Sequence, residues 1–461
     1  MKVLTKLHRA GSLKIYAVKF GLKSFFINLS SIFNNSALTL SSYPKLNLSQ
    51  HADQSALDFT KAFITNASVQ RLEYGENWLR DTTAKPIKVM MLGLRGFPDV
   101  QGGIETHAEH LAPMLVSLGC DLEVLVRSSY QKLNVGKHWN GVKLTTLWAP
   151  KSKAFEAIVH TFLGVLYAAI KRPDVLHIHA IGPALMTPLA RLLGLRVVVT
   201  HHGPDYNRQK WGMFARHTLM LGEWFGMRFS NCRITISSVI RDLVAQKHTV
   251  NSVLIHNGVV LPDLNVSSTH LAQFGLEQNK YILLVGRLVP EKRHIDLIQA
   301  FNQVNLFGYK LALVGSSDHP DTYVQTLIDA SVANPNIVLT GFQKGDALRS
   351  LYAHAALFVL PSSHEGLSIS LLEALSYGLP VIASDIPANL EVGLSDAHYF
   401  KLGKVNEIAS LLTQHTQQVV TSVEKLDKKR QLRAWIDSQY NWKNIAEKTI
   451  KAYQTSFIHH L

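Results

Sequence analysis

Two carboxylates at E-x7-E spacing, Glu365 and Glu373, are the residues whose type and spacing first suggest chemistry. They occur in SSHEGLSISLLEALSYGLPVIAS, which predicts a strand end, a loop, a helix beginning at Gly366 and a further strand. A helix of about eight residues rises about 12 Å, which places both carboxylates on roughly one side. They could hold hydroxyls at two ends of one polar ligand, with a phosphate at the helix start. A solvated amphipathic helix carries similar pairs, so spacing alone leaves both readings open.

A basic pair, Arg287 and Lys292, lies in GRLVPEKR directly after the apolar strand YILLVG. A guanidinium and an ammonium at the ends of a short loop can converge on one diphosphate. Surface charge at a helix start gives the same pattern. Gly102 and Gly103 follow the apolar strand IKVMMLGL and can let a phosphate approach backbone N–H groups, although a plain tight turn also fits them.

Histidines stand at the ends of two further predicted strands. His179 ends DVLHIH, and His202 lies in RVVVTHHGPDYNRQKW together with Arg208 and Lys210. A histidine at a strand end is commonly a structural residue with satisfied hydrogen bonds. The basic and aromatic side chains of the second loop can bind an anionic or sugar acceptor, but a solvated basic loop has the same composition.

Alternating strands and helices must position these groups. From residue 87 the order strand, glycine loop, helix, strand predicts a doubly wound parallel α/β domain with its ligand at the carboxyl ends of the strands. The alternation restarts after a turn near residue 258. We therefore predict an N-terminal extension at 1–85, Rossmann-like domains at 86–258 and 259–440, and a terminal helix at 441–461. Two such domains leave a cleft between two sets of strand ends.

The runs EGLSISLLEAL, GLPVIAS and GRLVPEKR closely resemble the E-x7-E and G-R-x4-K elements of retaining glycosyltransferases of the GT-B architecture, family 4 in particular. The resemblance covers about residues 87 to 456, and HG-x-D-x-x-R-x-KW is similar to a rhamnosyltransferase-type subgroup. It implies two Rossmann-like domains facing a cleft, a nucleotide diphosphate sugar as co-substrate, and a terminal helix that returns to the first domain.

The resemblance also implies a role for each candidate residue. Glu365 contacts the donor sugar with His179 beside it, and Glu373 contacts the ribose. The other implied assignments are diphosphate binding by Arg287, Lys292, Gly102 and Gly103, and acceptor binding by His202, Arg208 and Lys210. Gly341, Phe342 and Gln343 are expected near the nucleotide base only from their position after the third strand of the second domain.

The expected reaction is transfer of a hexosyl unit to a hydroxyl of a glycan or lipid-linked acceptor. The resemblance implies retention of anomeric configuration and a place in cell-surface polysaccharide or lipopolysaccharide synthesis. No two aspartates have D-x-D spacing, so we expect neither a metal nor another cofactor, and cationic side chains neutralise the leaving group. Two alternatives stay open: a nucleotide-sugar epimerase or hydrolase of the same fold, and a non-catalytic sugar-nucleotide-binding membrane scaffold.

Composition indicates the partners and the compartment. The net charge of +14 favours an anionic partner, but no nucleic-acid-binding pattern accompanies it, so we expect no nucleic acid. Two cysteines provide no disulfide framework, and we expect a cytoplasmic protein. Residues 1–40 are basic and have apolar residues at helical spacing. Such a helix could lie peripherally on an anionic membrane surface, or pack on the catalytic body or a second subunit.

Overall fold

A computed structural model gives the fold and describes residues 85–130, 136–150, 156–207, 212–317, 321–417 and 422–458. The amphipathic helix predicted within residues 1–40 lies outside these ranges, as do the acceptor candidates Arg208 and Lys210. Among the helices within these ranges, none is both long enough and apolar enough to cross a membrane.

The first half of the chain forms a mostly parallel sheet. Within the described ranges its strands are β1 (Lys88–Leu92), β2 (Asp121–Arg127), β3 (His138–Trp139), β4 (Val142–Leu147), β5 (Val175–His179), β6 (Val197–His201), β7 (Cys232–Thr235) and β8 (Val253–Leu254). Their order is β3-β4-β2-β1-β5-β6-β7-β8, and β3 runs antiparallel to β4 whereas the other neighbouring pairs are parallel. An order that extends in both directions from β1 and β5 is the doubly wound arrangement.

The second half repeats this design in a smaller sheet. In the described part of the chain its strands are β9 (Tyr281–Val285), β10 (Lys310–Val314), β11 (Ile337–Gly341), β12 (Leu357–Leu360), β13 (Val381–Ser384) and β14 (Tyr399–Phe400). Their order is β11-β10-β9-β12-β13-β14, and every neighbouring pair is parallel. The prediction of two doubly wound parallel-sheet domains is confirmed.

Helices cover both faces of each sheet. The α-helices of the described residues are α1 (Gly103–Ser117), α2 (Glu156–Lys171), α3 (Thr187–Leu192), α4 (Met213–Phe229), α5 (Ser238–His248), α6 (His294–Gln303), α7 (Thr322–Ala333), α8 (Gly345–Ala353), α9 (Ile369–Ser376), α10 (Pro387–Leu390), α11 (Val405–Gln417), α12 (Ser422–Tyr440) and α13 (Trp442–Ile458). Because both faces are covered, successive side chains of β1 enter different cores: Val89 and Met91 pack on one side, Met90 and Leu92 on the other.

The terminal helix α13 packs on the first sheet. Trp442, Ile445 and Tyr453 lie in the same buried cluster as residues of β1 and α1. The N–H group of Val259 donates a hydrogen bond of 2.8 Å to the carbonyl oxygen of Tyr440 where the two crossing segments meet. Below, the N-lobe denotes the described residues up to 258 together with α13, and the C-lobe denotes the described residues from 259 to 440.

The helix of the E-x7-E element begins later than its sequence indicated. We predicted a start at Gly366, whereas α9 begins at Ile369 with Ser368 as the preceding extended residue. Glu365 therefore lies in the loop between β12 and α9, and Glu373 alone lies on the helix. The predicted start of this helix was wrong, because the residues from Gly366 to Ser368 belong to the loop and only the stretch from Ile369 to Glu373 is helical.

Candidate functional site

The glycine loop after β1 is shaped by a buried ion pair. The Arg95 Nε atom donates a hydrogen bond of 3.0 Å to Glu105 Oε1, and a Cβ atom at Gly102 would overlap these two side chains. Burial would raise the pKa of Glu105, but the neighbouring guanidinium and its hydrogen bonds hold it below its ordinary value. Gly103 begins α1 and has open space where its Cβ would stand. The loop therefore needs glycine at 102 for packing, and leaves its backbone at 103 accessible.

This loop meets the strand ends of the C-lobe. The Ser316 hydroxyl, just after β10, donates a hydrogen bond of 2.7 Å to Gln101 Oε1. Gly315 packs so closely on Gly286, at the end of β9, that a Cβ atom would overlap its carbonyl oxygen. The two predicted phosphate-binding segments, the glycine loop and the segment beginning at Arg287, thus lie at the same junction of the lobes.

Lys292 and Glu365 are brought together by the loops after β9 and β12. The Lys292 Nζ atom lies 2.7 Å from Glu365 Oε1, and the two side chains are 16% and 11% exposed. The Lys292 stem also packs on Gly286, immediately before the half-buried Arg287. Lys292 and Glu365 therefore stand side by side at the edge of the C-lobe. A second cationic side chain, Arg287, follows the end of β9.

The loop carrying Glu365 touches the N-lobe at a contact that only a glycine can make. A Cβ atom at Gly366 would overlap the carbonyl oxygen of His202, and one at Gly203 would lie 3.7 Å from the Cα atom of Gly366. The Asn257 Nδ2 atom donates a further hydrogen bond of 2.8 Å to the carbonyl oxygen of Leu367. The ends of β6 and β12 are thus held face to face.

Behind this contact lies a group of histidines. The Nδ1 atom of His179 is 3.1 Å from Nε2 of His202, and the ring of His107 lies against both. His179 is fully buried while His202 is half-buried, so His202 is the member of that pair that reaches the surface. Burial lowers the pKa of His107 to about 4 and keeps the pKa values of the other two far below the usual range. All three rings are neutral at pH 7.

A buried carboxylate fixes the loop that follows β6. Glu223, on α4, is fully buried and accepts hydrogen bonds from His201 Nε2 at 3.0 Å and from the Tyr206 hydroxyl at 3.2 Å, with Lys247 as a third donor. The Nδ1 atom of His201 in turn accepts from the N–H group of Gly203. Burial opposes ionisation of Glu223, but these donors hold its pKa well below its ordinary value. The network sets the direction in which the chain leaves His202.

Glu373, on α9, has a different hydrogen-bond partner from Glu365. Its Oε2 atom accepts a hydrogen bond of 2.8 Å from the Tyr352 hydroxyl. Burial raises the pKa of Glu373 to about 7, although that hydrogen bond acts in the opposite direction. The carboxyl group therefore changes protonation state near neutral pH.

The segment predicted near the nucleotide base lies at the edge of the second sheet. Gly341 ends the edge strand β11, Phe342 is 40% exposed, and Gln343 Nε2 donates a hydrogen bond of 2.6 Å to the carbonyl oxygen of Thr340. The next residue, Lys344, forms an ion pair with Asp99 in the glycine loop. An exposed aromatic face thus stands beside the junction of the lobes.

The residues that sequence reasoning missed are those that join predicted groups to each other. His107 and Asn257 are hydrogen-bonded at 3.0 Å, and Gln101 and Ser316 connect the glycine loop to β10. Gln101 directly precedes the predicted Gly102, which was a usable signal. His107 gave none, because a histidine within an amphipathic helix has no special spacing.

Two family models match this chain. The model for Glycosyltransferase Family 4 matches residues 101–261, and the model for Glycosyl transferases group 1 matches residues 267–400. The first range contains Gly102, Gly103 and the histidines, and the second contains the loops after β9 and β12. Together they cover well over half of the chain.

Curated relatives agree with the family models. The uncharacterized glycosyltransferase MJ1607 of Methanocaldococcus jannaschii is 24% identical over 80% of this chain and 98% of its own length. The O-antigen chain mannosyltransferase B of Escherichia coli is 28% identical over 40% of this chain and 48% of its own length. The UDP-Gal:alpha-D-GlcNAc-diphosphoundecaprenol alpha-1,3-galactosyltransferase of Escherichia coli is 24% identical over 56% of this chain and 70% of its own length.

Solved structures show the same fold. Sucrose-phosphate synthase from Thermosynechococcus elongatus has a TM-score of 0.68 at 19% identity, covering 81% of this chain and 100% of that one. Anabaena Alr3699/HepE in complex with UDP-glucose has a TM-score of 0.65 at 17% identity, and the match covers 80% of this chain and 99% of that one. With two parallel-sheet lobes and both family models in order along its sequence, the chain belongs to glycosyltransferase family 4 and is a glycosyltransferase of the GT-B architecture.

Proposed function

We propose that this glycosyltransferase moves a hexosyl unit from a nucleotide diphosphate sugar to a hydroxyl of a glycan or lipid-linked acceptor, with retention of configuration. The observation that carries the proposal is the contact of 2.7 Å between Lys292 and Glu365. In such a donor the sugar directly follows the diphosphate, so a cation for the phosphates and an acceptor for sugar hydroxyls must stand side by side. This pair provides both at the junction of the lobes.

The relatives support the substrate classes. Alr3699/HepE was solved with UDP-glucose, which is a nucleotide diphosphate hexose. The two Escherichia coli relatives are named for an O-antigen chain and for a diphosphoundecaprenol-linked sugar, which supports a role in cell-surface polysaccharide or lipopolysaccharide synthesis. The charge of +14 suits acceptors that carry phosphate.

In the proposed reaction, Arg287, Lys292 and the backbone at Gly102 and Gly103 hold the diphosphate and stabilise its developing charge. The bond from the anomeric carbon to the phosphate oxygen breaks and its electron pair stays with the phosphate. The acceptor oxygen bonds to the anomeric carbon on the same face, and its proton passes to the departing phosphate. Glu365 is proposed to bind a sugar hydroxyl rather than attack the anomeric carbon, which is the role that membership of family 4 implies, while its Oε1 atom is paired with the Lys292 ammonium group.

The histidines have different proposed roles. His202 reaches the surface and is proposed to contact the sugar or the acceptor, whereas the fully buried His179 orients it through the contact of 3.1 Å. Glu373 is proposed to bind the ribose, and Phe342 to stack on the base. No step in this scheme uses a metal, so transfer should continue in the presence of EDTA.

The first test is a screen of nucleotide sugars for thermal stabilisation, followed by product analysis with a lipid-linked acceptor extract. Lys292→Ala should weaken binding of the stabilising donor about 10- to 100-fold, the equivalent of one charge-assisted hydrogen bond of about 1.5–3 kcal/mol. Lys310→Ala is the matched control, because that ammonium group bonds to the Gly275 carbonyl oxygen away from the site. Donor affinity unchanged by Lys292→Ala would remove the diphosphate assignment.

The same assay separates the alternatives. Free sugar or an epimer formed without an acceptor would indicate a hydrolase or epimerase. Parent-like binding with no turnover under any donor and acceptor pair would indicate a scaffold. A product with inverted configuration in its NMR spectrum would contradict retention, and activity lost in EDTA and restored by Mg²⁺ would contradict the metal-free scheme.

A further inference from the structure

Three imidazole rings converge at the junction of the lobes in a way that transfer chemistry does not require. His107, His179 and His202 each offer one ring nitrogen, and these three atoms lie within 4.8 Å of one another. Nitrogens bound at 2.0–2.1 Å to a tetrahedral ion are about 3.4 Å apart. The 3.1 Å separation of His179 Nδ1 and His202 Nε2 is already close to that value. The other two separations are at most 4.8 Å, so each has to shorten by at most about 1.4 Å to reach the tetrahedral value.

The hydrogen bonds of the cluster determine which nitrogens have free lone pairs. The Asn257 Oδ1 atom accepts from His107 Nδ1 at 3.0 Å, so Nδ1 carries the proton and Nε2 carries the lone pair. Asn257 is itself oriented by donating Nδ2 to Leu367, which fixes the identity of Oδ1. Metal-binding histidines ordinarily donate their second ring N–H to a carboxylate, a backbone carbonyl oxygen or a water molecule, and the side-chain carbonyl oxygen of Asn257 takes that place for His107.

A fourth nearby histidine shows the contrast. His177 has both ring nitrogens occupied, Nδ1 with the Tyr453 hydroxyl at 2.8 Å and Nε2 with the Thr200 hydroxyl at 2.7 Å. His179, by contrast, has a buried Nε2 atom with no hydrogen-bond partner among the described residues. His177 is therefore a structural residue, while His179 can carry its proton on Nε2 and offer the lone pair of Nδ1 on the side that faces His202.

We propose that His107, His179 and His202 form a binding site for a borderline divalent metal ion such as Zn²⁺, with a further coordination position left open. Imidazole ligands select ions of this class over hard cations such as Mg²⁺. The half-buried His202 provides the side from which the ion enters.

Metal binding has a consequence for transfer that rests on the proposed function. His202 is proposed to contact the donor sugar or the acceptor, and His179 orients it. An ion held by both would withdraw them from that role, so the metal and the nucleotide sugar compete. Zn²⁺ should therefore inhibit transfer, and EDTA should restore it.

The test is a titration of the full-length chain with Co²⁺, followed by the visible absorption of the bound ion, without any nucleotide. We expect one equivalent to bind with the intense bands of low-coordinate Co²⁺, Zn²⁺ to displace it, and Mg²⁺ to leave the spectrum unchanged. His107→Ala should weaken Co²⁺ binding by at least about tenfold. The matched control is His110→Ala, on the same helix, where the ring stacks on Trp442 outside the cluster.

Two results would overturn the proposal: the absence of these bands in the parent chain, and equal Co²⁺ affinity in the parent and His107→Ala. If His107→Ala melts below the assay temperature, His107→Gln replaces it, because an amide retains a donor toward Asn257 without an imidazole nitrogen. The outcomes also separate the two proposals. Donor binding without Co²⁺ binding would remove the metal site and leave the transferase; Co²⁺ binding without competition would contradict the placement of the sugar beside His202.

Discussion

Glu373 is a carboxyl group whose surroundings, rather than its spacing, set its chemistry. Burial raises its pKa to about 7, and the Tyr352 hydroxyl is the donor that favours its ionised form. A ribose has two hydroxyls to donate, and an ionised carboxylate accepts both whereas a carboxylic acid uses one oxygen as a donor. Binding of the nucleotide sugar should therefore favour loss of the proton from Glu373.

We predict that binding of the nucleoside diphosphate strengthens as the pH rises from 6 to 8. One pH unit below a pKa of about 7 only about a tenth of the carboxyl groups are ionised, so the Kd should be up to about tenfold weaker at pH 6 than at pH 8. Calorimetric titration at both pH values measures this difference. Glu373→Gln should show only the pH dependence of the nucleotide's own phosphates. If the variant has the same slope as the parent, Glu373 does not bind the ribose.

The loop between β12 and α9 carries Glu365 only because glycine stands beside it. A Cβ atom at Gly366 would overlap the His202 carbonyl oxygen, a backbone atom that cannot rotate away. The overlap must be relieved by separating the lobes or by moving the Glu365 loop. Either movement displaces Glu365 relative to the histidine side of the site.

We predict that Gly366→Ala leaves the chain folded but lowers kcat about 100-fold, the loss expected for a displacement of about 1 Å at a reacting centre. Circular dichroism verifies the fold, and steady-state kinetics with the preferred donor measure the loss. Gly212→Ala is the control, because nothing lies within 4 Å of the position that its methyl group would take and its φ is ordinary. Equal kcat values for the two variants would show that the lobes are not in contact during turnover.

The elements themselves were largely predictable, because apolar runs and 3.6-residue periodicity are local properties. The strand ending at His179 and the strand before Arg287 were predicted to within a residue or two. The start of α9 was misplaced, since the apolar pattern of Leu367 continues through a loop that is packed on the other lobe. The strands β3 and β4 were not predicted: β3 has only two residues, whereas β4 has six, with Val142 and Leu144 buried on either side of the exposed Lys143, so its alternation was a usable signal.

The site was predictable by residue type but not by contact. Each strand end could be read from the sequence, yet the pairing of Lys292 with Glu365 and the approach of Gly366 to His202 depend on how two separate sheets face each other. No local pattern encodes such an orientation. His107 illustrates the limit, because its partner Asn257 lies 150 positions away along the chain.

For the whole molecule, the relative position of the lobes depends on a carboxylate that the sequence did not single out. Glu391, directly after α10 in the C-lobe, accepts hydrogen bonds from the N–H groups of Ser238 and Val239, which begin α5 in the N-lobe. Its Oε1 atom also lies 3.1 Å from His256 Nε2. A carboxylate at a helix start is favoured by the exposed N–H groups and by the helix dipole. Burial would raise the pKa of Glu391, but these donors hold it below its ordinary value.

We predict that Glu391→Gln lowers the stability of the two-lobe unit by about 1.5–3 kcal/mol at pH 7, because it removes hydrogen bonds to a charged group. The pKa of Glu391 is lower in the folded chain than in the unfolded one, so its contribution is present above the ordinary pKa and is lost as the pH falls through the folded value. The difference in Tm between parent and variant should therefore be full at pH 7 and shrink below about pH 4.5. Calorimetry at pH 7 and at a pH below about 4.5 measures this difference. Asp242→Asn is the control, because Asp242 is exposed beside Arg241. A difference that persists unchanged in acid would mean that the charge of Glu391 does not hold the lobes together.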